Sequence, residues 1–297
     1  MRSDLLMKFS RGIATKFVKM PVRMQVMILV LLLAVLLANV TAVKEVKATE
    51  SIGVIGAHQK KAIVIGVSQQ DDNLGIVQLP GIEHDLKKIS SQFSQRGFQV
   101  EVMQNPDKRQ VLEKISSLQK NIEQLVFYYS GHGVDAGETG YLVPVISAST
   151  GEETKKAAEE QSKDLFALPA LRNELISHVE LHESFKQSAA QNLLAIFDTN
   201  TQKMCRPKVF SESLLAAHYY CAGPRALASL DGGLFTELIN QALNGEADKD
   251  KDTVIDALEL EIYTKQQLEN ILTTKGYAIP EPAYFHYGEM QFSVLPD

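Results

Sequence analysis

The sequence predicts an α/β protein with a mostly parallel sheet, flanked by helices on both faces as a three-layer αβα sandwich, behind an N-terminal hydrophobic helix. Two observations predict this class. Short apolar runs alternate along the chain with longer segments in which apolar residues recur at helical spacing. The runs are apolar at nearly every position, which is typical of parallel strands that helices cover on both sides.

The first strand and the first helix show the two patterns. Residues 61–68, KAIVIGVS, form a continuous apolar run flanked by glycine and serine. In the segment that follows, IEHDLKKISSQFSQRGF, Ile82, Leu86 and Ile89 lie at helical spacing. Gly97 comes just after this segment's last apolar turn, where glycine commonly ends a helix.

The alternation continues to the C-terminus. The further predicted strands are FQVEVMQN, QLVFYYSGHG and NLLAIFD. The further predicted helices are KRQVLEKISSLQKNI, the segment after Pro169, GLFTELINQALNG and ALELEIYTKQQLENIL. With 297 residues, 45% of them hydrophobic, the chain can bury one sizeable core or at most two small ones. This order of elements indicates a parallel or mostly parallel sheet.

The N-terminal region predicts export or membrane attachment. Basic residues dominate the first 25 positions, and the apolar run Val26–Ala38 follows them. Two interpretations stay open: a cleaved signal peptide, and an uncleaved single anchor over Val26–Val43 with its N-terminus in the cytoplasm. Both place the following domain outside the cytoplasm, as a periplasmic, extracellular or inner-membrane-anchored protein. The membrane is then contacted only through this segment.

The charge and the cysteines narrow the classes of function. The net charge is -6 and the body of the chain has no basic run, which argues against nucleic acid as the main partner and favours basic substrates or cations. The two cysteines, Cys205 and Cys221, would close a loop of about 16 residues if they paired, worth about 3 kcal/mol in the chain-entropy model. A disulfide and a pair of free, partly buried thiols are both consistent with the sequence.

Two strand ends carry the candidate chemistry, because sites in open α/β sheets lie at the carboxyl ends of strands. One strand ends in SGHG, which leaves His132 between two glycines as a candidate general base. Another ends in Asp198, Thr199 and Asn200. A single histidine in a loop is otherwise more often satisfied by the backbone.

These residues resemble the caspase and metacaspase superfamily of cysteine peptidases, in its bacterial branch. The resemblance rests on four stretches in this order: LPGIEHDLKKISSQFSQRGFQVEV, LVFYYSGHGVDAGETGYLVPV, NLLAIFD and LDGGLFTELI. It covers roughly residues 60–295. It divides the chain into a leader at 1–48, a linker at 49–59 and a caspase-like domain at 60–297, with a large-subunit-like part at 60–205 and a small-subunit-like part at 212–297.

The resemblance implies a Cys–His dyad and an oxyanion hole. His132 matches the family's histidine, and the N–H of Gly133 matches a donor to the oxyanion. Asp198 resembles the acid that receives a Lys or Arg side chain of the substrate, and we assign Asp85 to the same substrate-binding role. Asn200 stands where the family has its cysteine, and the Ser-Gly that usually follows is replaced as well. Deleting the nucleophile of a serine protease costs about 10⁶-fold in rate.

Two functions follow, and they leave open whether the chain is an enzyme. The first is a catalytically impaired pseudo-peptidase that acts as a binding or regulatory module for a protein or peptide, including basic segments. The alternative is an active endopeptidase that cleaves after basic residues with a displaced nucleophile, Cys205. Thr199 and Thr201 are weaker hydroxyl candidates, because only His132 is available to activate them. Neither function requires a cofactor, and the sequence does not indicate an oligomeric state.

An acidic loop near the C-terminus predicts a weak calcium site. The carboxylates follow the spacing of an EF-hand loop: Asp248, Asp250, Asp252, Asp256 and Glu259. The departure is Thr253, where such a loop uses glycine for its positive φ. The alternative interpretation is an acidic turn that caps the following helix. The pair His178 and His182 lacks a third zinc ligand, so a solvated helix face is expected there.

Overall fold

A six-stranded sheet forms the centre of the protein in the computed structural model, which describes residues 59–74, 76–118, 122–146, 169–188, 190–205, 214, 216–222, 228–229, 232–274 and 282–293. The predicted N-terminal hydrophobic helix at 26–43 lies outside these residues. Within these ranges, no helix combines the length and the apolar character that a membrane crossing requires.

The described residues form strands and helices in alternation. The strands are β1 (Gln59–Gly66), β2 (Gln99–Gln104), β3 (Ile122–Ser130), β4 (Gly133–Ala136), β5 (Thr139–Leu142), β6 (Ile176–Ser177), β7 (Ala190–Asp198), β8 (Ala216–Cys221), β9 (Ala228–Ser229), β10 (Gly232–Gly233), β11 (Val254–Asp256), β12 (Ala283–Tyr287) and β13 (Gln291–Ser293). The α-helices are α1 (Ile82–Gln95), α2 (Lys108–Ser116), α3 (Pro169–Glu174), α4 (His178–Gln187), α5 (Leu234–Gln241) and α6 (Ala257–Thr274).

The strand order of the central sheet is β12-β8-β7-β3-β1-β2. Strands β2, β1, β3, β7 and β8 are parallel, and β12 adds an antiparallel edge. The register aligns Gly66 of β1 with Ser130 of β3, and Ser130 with Asp198 of β7. Three strands therefore end side by side. The chain leaves the sheet along one edge at these residues, which places the side chains that follow them close together.

Helices cover both faces of this sheet, as the apolar strand runs predicted. On one face, Tyr128 packs in a cluster with residues of α1, α5 and α6, including Phe93 and Phe235. On the other face, Phe127 packs with residues of α2 and α4, including Phe185, whose ring lies 5.1 Å from that of Phe127. Burial on both sides explains why residues 125–129 of β3 are apolar without interruption. The predicted mostly parallel α/β fold is confirmed.

A small antiparallel sheet, β4-β5-β6, follows the end of β3 and holds the SGHG segment, residues 130–133, in place. Strands β4 and β5 form a hairpin whose turn contains Gly137 at φ 58°, a conformation that glycine adopts without strain. The carbonyl of His132 accepts a hydrogen bond from the N–H of Val143 at 3.0 Å. The hydroxyl of Tyr129 donates to the same carbonyl at 3.1 Å. The backbone of His132 is therefore fixed from two sides.

The expectation of a solvated face for His178 and His182 is wrong. Helix α4 begins with a capping box between Ser177 and Glu180, and the two histidines lie on its buried face together with Leu181 and Phe185. His178 and His182 are both buried. His178 Nδ1 accepts a hydrogen bond from the N–H of Gly140 at 3.3 Å, and His182 Nδ1 lies 2.9 Å from the Tyr219 hydroxyl. These are packed core histidines.

Candidate functional site

A cleft opens where β1, β3 and β7 end. The cavity has a volume of about 510 Å³. Five of the residues that the sequence singled out line it together: Asp85, His132, Asp198, Thr199 and Asn200. Residues from the ends of β3 and β7 and from the start of α1 thus meet here, which is the location that the parallel topology predicts for a site.

The imidazole of His132 is engaged by the loop that precedes α1. Its Nε2 lies 2.6 Å from the carbonyl oxygen of Val77. A carbonyl oxygen only accepts, so Nε2 donates and carries a proton. In this arrangement the neutral ring has its free lone pair on Nδ1. His132 therefore lines the cleft as predicted, with one nitrogen already bound to the backbone.

Asn200 lies next to the predicted oxyanion donor. The N–H of Gly133 donates to Asn200 Oδ1 at 3.0 Å. The two residues approach closely because residue 133 has no side chain: a Cβ there would lie 2.6 Å from Thr201 Cγ2 and 2.9 Å from Thr199 Oγ1. The segment after β7 can therefore pack against the start of β4. The side-chain oxygen of Asn200 therefore accepts the hydrogen bond that the resemblance assigns to an oxyanion.

Asp198, the last residue of β7, is buried beside the N-terminal end of α5. Its Oδ2 accepts hydrogen bonds from the N–H of Thr236 at 3.2 Å and from the Thr236 hydroxyl at 2.5 Å. Burial raises the pKa of the Asp198 carboxyl above its ordinary value, and the two bonds from Thr236 act against that shift. The N-terminal end of a helix favours the negative charge. The carboxylate is thus held in place by polar donors without a charged partner among them.

Asp85 is the second buried carboxylate of the cleft, and only 1% of its surface is exposed. Its oxygens accept from the N–H of Gly233 at 2.9 Å and 3.1 Å and from the Ser130 hydroxyl at 3.2 Å. Burial, and secondarily the charge of Asp198, raise the pKa of Asp85 from 3.8 to about 7. None of the ion pairs within the described ranges involves Asp85 or Asp198. A cation would relieve their mutual repulsion.

Two glycines allow this carboxylate pair to form. Gly232 has φ 116°, a value that side chains rarely adopt, and a Cβ there would overlap Asp85 Oδ1. A Cβ at Gly233 would overlap Asp198 Oδ2. The GGLFTELI stretch supported the family resemblance, but its role in admitting two carboxylates was not predicted. Ser130, at the end of β3, and Thr236, in the first turn of α5, were also missed as partners, since a single hydroxyl residue is too common a signal.

Cys205 is not available as a nucleophile in this structure. It is joined to Cys221 by a disulfide, and both residues are buried. A sulfur in a disulfide has no thiolate to attack a carbonyl. The bond resolves the open choice between a disulfide and free thiols. It conflicts with the hypothesis that Cys205 replaces the missing nucleophile.

The hydroxyls of Thr199 and Thr201 also have partners. The Thr201 hydroxyl donates to the carboxylate of Asp135, and the Thr199 hydroxyl accepts from the N–H of Thr201 at 3.2 Å. Both threonines are buried, at 1% and 0% exposed. These side chains hold the loop after β7 in shape. Their burial disfavours a role in attack on a substrate.

The acidic loop brings three of its five carboxylates together. Oxygens of Asp248, Asp250 and Asp252 lie within 4.8 Å of one another. Thr253 has φ 69°, so the loop takes the positive φ at the position where an EF-hand uses glycine. Asp256 and Glu259 instead bond to each other's backbone N–H at the start of α6, at 2.7 Å and 3.2 Å. The helix-capping interpretation accounts for these two residues, and calcium binding stays a prediction.

Comparison with known proteins gives a family and a fold. A family model described as the caspase domain matches residues 59–276. Among solved structures, a protein from Geobacter sulfurreducens is similar with a TM-score of 0.52 and 13% sequence identity, over 77% of this chain and 94% of that chain. At that identity the likeness concerns the fold alone. No curated protein matches this chain.

Proposed function

This chain belongs to the caspase-domain family, and from that premise we propose that it is a pseudo-peptidase: a binding or regulatory module that takes a basic peptide segment into its cleft without cutting it. The family relationship accounts for the fold and for the position of the cleft.

The lack of turnover rests on Asn200. In the alignment that the resemblance implies, Asn200 stands at the position of the nucleophile, and an amide does not form an acyl-enzyme as a thiolate does. The single observation that carries the proposal is the contact of Asn200 Oδ1 with the N–H of Gly133 at 3.0 Å. A group at the nucleophile position is thereby bound to the donor that an oxyanion would need. The disulfide of Cys205 supports the same conclusion.

The ligand class rests on the carboxylate pair. Asp85 and Asp198 line the cavity and are buried, with neutral donors as their partners. Ionised carboxylates at such sites are costly without an opposite charge. A Lys or Arg side chain supplies that charge, and the guanidinium of Arg presents several N–H donors to two carboxylates. A basic segment is therefore the proposed ligand.

The proposed compartment is outside the cytoplasm, with the domain exported or tethered by its N-terminal segment. The basic and apolar residues of the first 48 positions support this proposal. The Cys205–Cys221 disulfide supports it as well, because disulfides persist mainly in oxidising compartments.

The test is peptide turnover by the purified protein, on a library varied at the residue before the cleaved bond. The unmodified protein is expected to show none. Asn200→Cys is expected to gain cleavage after Lys and Arg, and that activity should vanish in the double variant with His132→Ala. Thr199→Cys is the matched control, since it places a thiol one residue away at a buried position. Cleavage by the unmodified protein would overturn the proposal.

A further inference from the structure

We infer that the cleft recognises the cationic side chain of its ligand and excludes the carbonyl beside it, an inference that rests on the proposed function and names its ligand class. The class is an alkylguanidinium or alkylammonium group, whether it belongs to a peptide or to a small molecule that has no carbonyl. The Asn200 side chain then fills the position of the ligand carbonyl, in addition to standing where the family has its nucleophile.

The first step concerns the position that a peptide carbonyl would take. A backbone N–H has one hydrogen to donate, and that of Gly133 is donated to Asn200 Oδ1 at 3.0 Å. The acceptor is itself an amide carbonyl, so it matches the chemistry of the group it displaces. A ligand carbonyl gains this donor only if the Asn200 side chain moves away. The net gain from this donor is therefore small.

The second step concerns the histidine side of the cleft. His132 Nε2 already donates to the carbonyl of Val77, on the loop before α1. Gln78 fixes that loop: its Oε1 accepts from the N–H of Gln70 at 3.0 Å and its Nε2 donates to the Gln70 carbonyl at 2.9 Å. Gln70 is buried and in turn donates to the Pro144 carbonyl at 2.7 Å. The hydrogen of His132 Nε2 is therefore also committed within the protein.

The third step concerns the cation side, where the balance is the opposite. Asp85 and Asp198 receive hydrogen bonds from N–H and hydroxyl groups, and the described ion pairs do not include them. Gly232 and Gly233 leave no side chain over either carboxylate. Within the described ranges no Lys or Arg side chain forms an ion pair with these carboxylates, whereas the Gly133 N–H and the His132 Nε2–H at the carbonyl end are donated within the protein. Recognition by the side chain alone follows from this contrast.

The test compares two monocations on the full-length protein by isothermal titration calorimetry. The probes are n-butylguanidine, which has no carbonyl, and N-acetyl-arginine methylamide; N-acetyl-citrulline methylamide is the uncharged control. We expect both cations to bind the unmodified protein with similar affinity, and the citrulline compound to bind at least tenfold more weakly. Asn200→Ala should strengthen the arginine amide by about tenfold, the factor of one recovered hydrogen bond, and leave butylguanidine unchanged.

Two further variants control the comparison. Asn192→Ala removes an asparagine at the opposite end of β7, so neither affinity should change. Asn200→Asp keeps an acceptor on Gly133, so the ratio of the two affinities should stay at its unmodified value. The melting temperature of each variant establishes that it is folded. If Asn200→Ala altered neither affinity, or both by one factor, the inference would be wrong and the proposed function would stand. Equal binding of the citrulline and arginine compounds would overturn the proposed function itself.

Discussion

Replacement of Asp85 by asparagine tests the electrostatic description of the cleft. Burial and the neighbouring Asp198 raise the pKa of Asp85 from 3.8 to about 7. Between these two values the folded protein holds a proton that the unfolded chain has released, so the group's contribution to stability falls as the pH rises. The contribution is most favourable below about pH 3.8 and reaches its lowest, constant level above about pH 7.

The size of the effect follows from the shift. About three pKa units at about 1.4 kcal/mol each set an upper limit of about 4 kcal/mol on the cost of the ionised group. Asparagine has nearly the same shape, and its Oδ1 still accepts from the N–H of Gly233. We therefore expect Asp85→Asn to raise the free energy of unfolding at pH 8 by about 1–3 kcal/mol. The gain should be about 2 kcal/mol smaller at pH 5.

The assay is urea unfolding at both pH values, followed by circular dichroism because the chain has no tryptophan. Glu83→Gln is the matched control, since it removes the same charge from an exposed position of the same helix, two residues away. That variant should change stability by less than about 0.5 kcal/mol at either pH. The electrostatic description of the cleft would be wrong if Asp85→Asn changed the free energy of unfolding by the same amount at pH 5 and at pH 8. It would also be wrong if the variant were less stable than the parent at pH 8.

Three other predictions address neighbouring parts of the structure. Thr236→Val removes the hydroxyl that donates to Asp198, so it should lower the free energy of unfolding by about 1–3 kcal/mol in the same urea titration. Thr236→Ser keeps a hydroxyl and should retain most of the parent's stability. The double variant Cys205→Ala and Cys221→Ala should lose about 3 kcal/mol against the oxidised parent; an equal loss against the reduced parent would show that packing, not the cross-link, is responsible. Millimolar calcium should raise the Tm of the parent and not that of Asp250→Asn, and an unchanged Tm in both would leave the acidic loop as a helix-capping turn.

Much of the candidate site could be predicted from the sequence. The parallel topology directs strand ends to one edge, so a histidine after β3 and an aspartate at the end of β7 were expected to meet, and His132 and Asp198 line one cavity. Asp85 joins them from the first turn of α1. The hydrogen-bond partners of these residues could not be predicted from the sequence. Thr236 lies 38 positions from Asp198 along the chain, and no local pattern pairs them.

The fold class and the edge of the sheet where the site lies follow from local patterns in the sequence. The reason is that a continuous apolar run reports burial locally: residues 125–129 of β3 and 193–197 of β7 are apolar because both faces of these strands are covered. Three features depend on the tertiary structure instead: the contact of Asn200 with Gly133, 67 positions apart, the disulfide of Cys205, and the burial of His178 and His182. Each of these depends on distances between segments far apart in the chain. Strand register and loop packing set those distances, and neither is a property of any one segment.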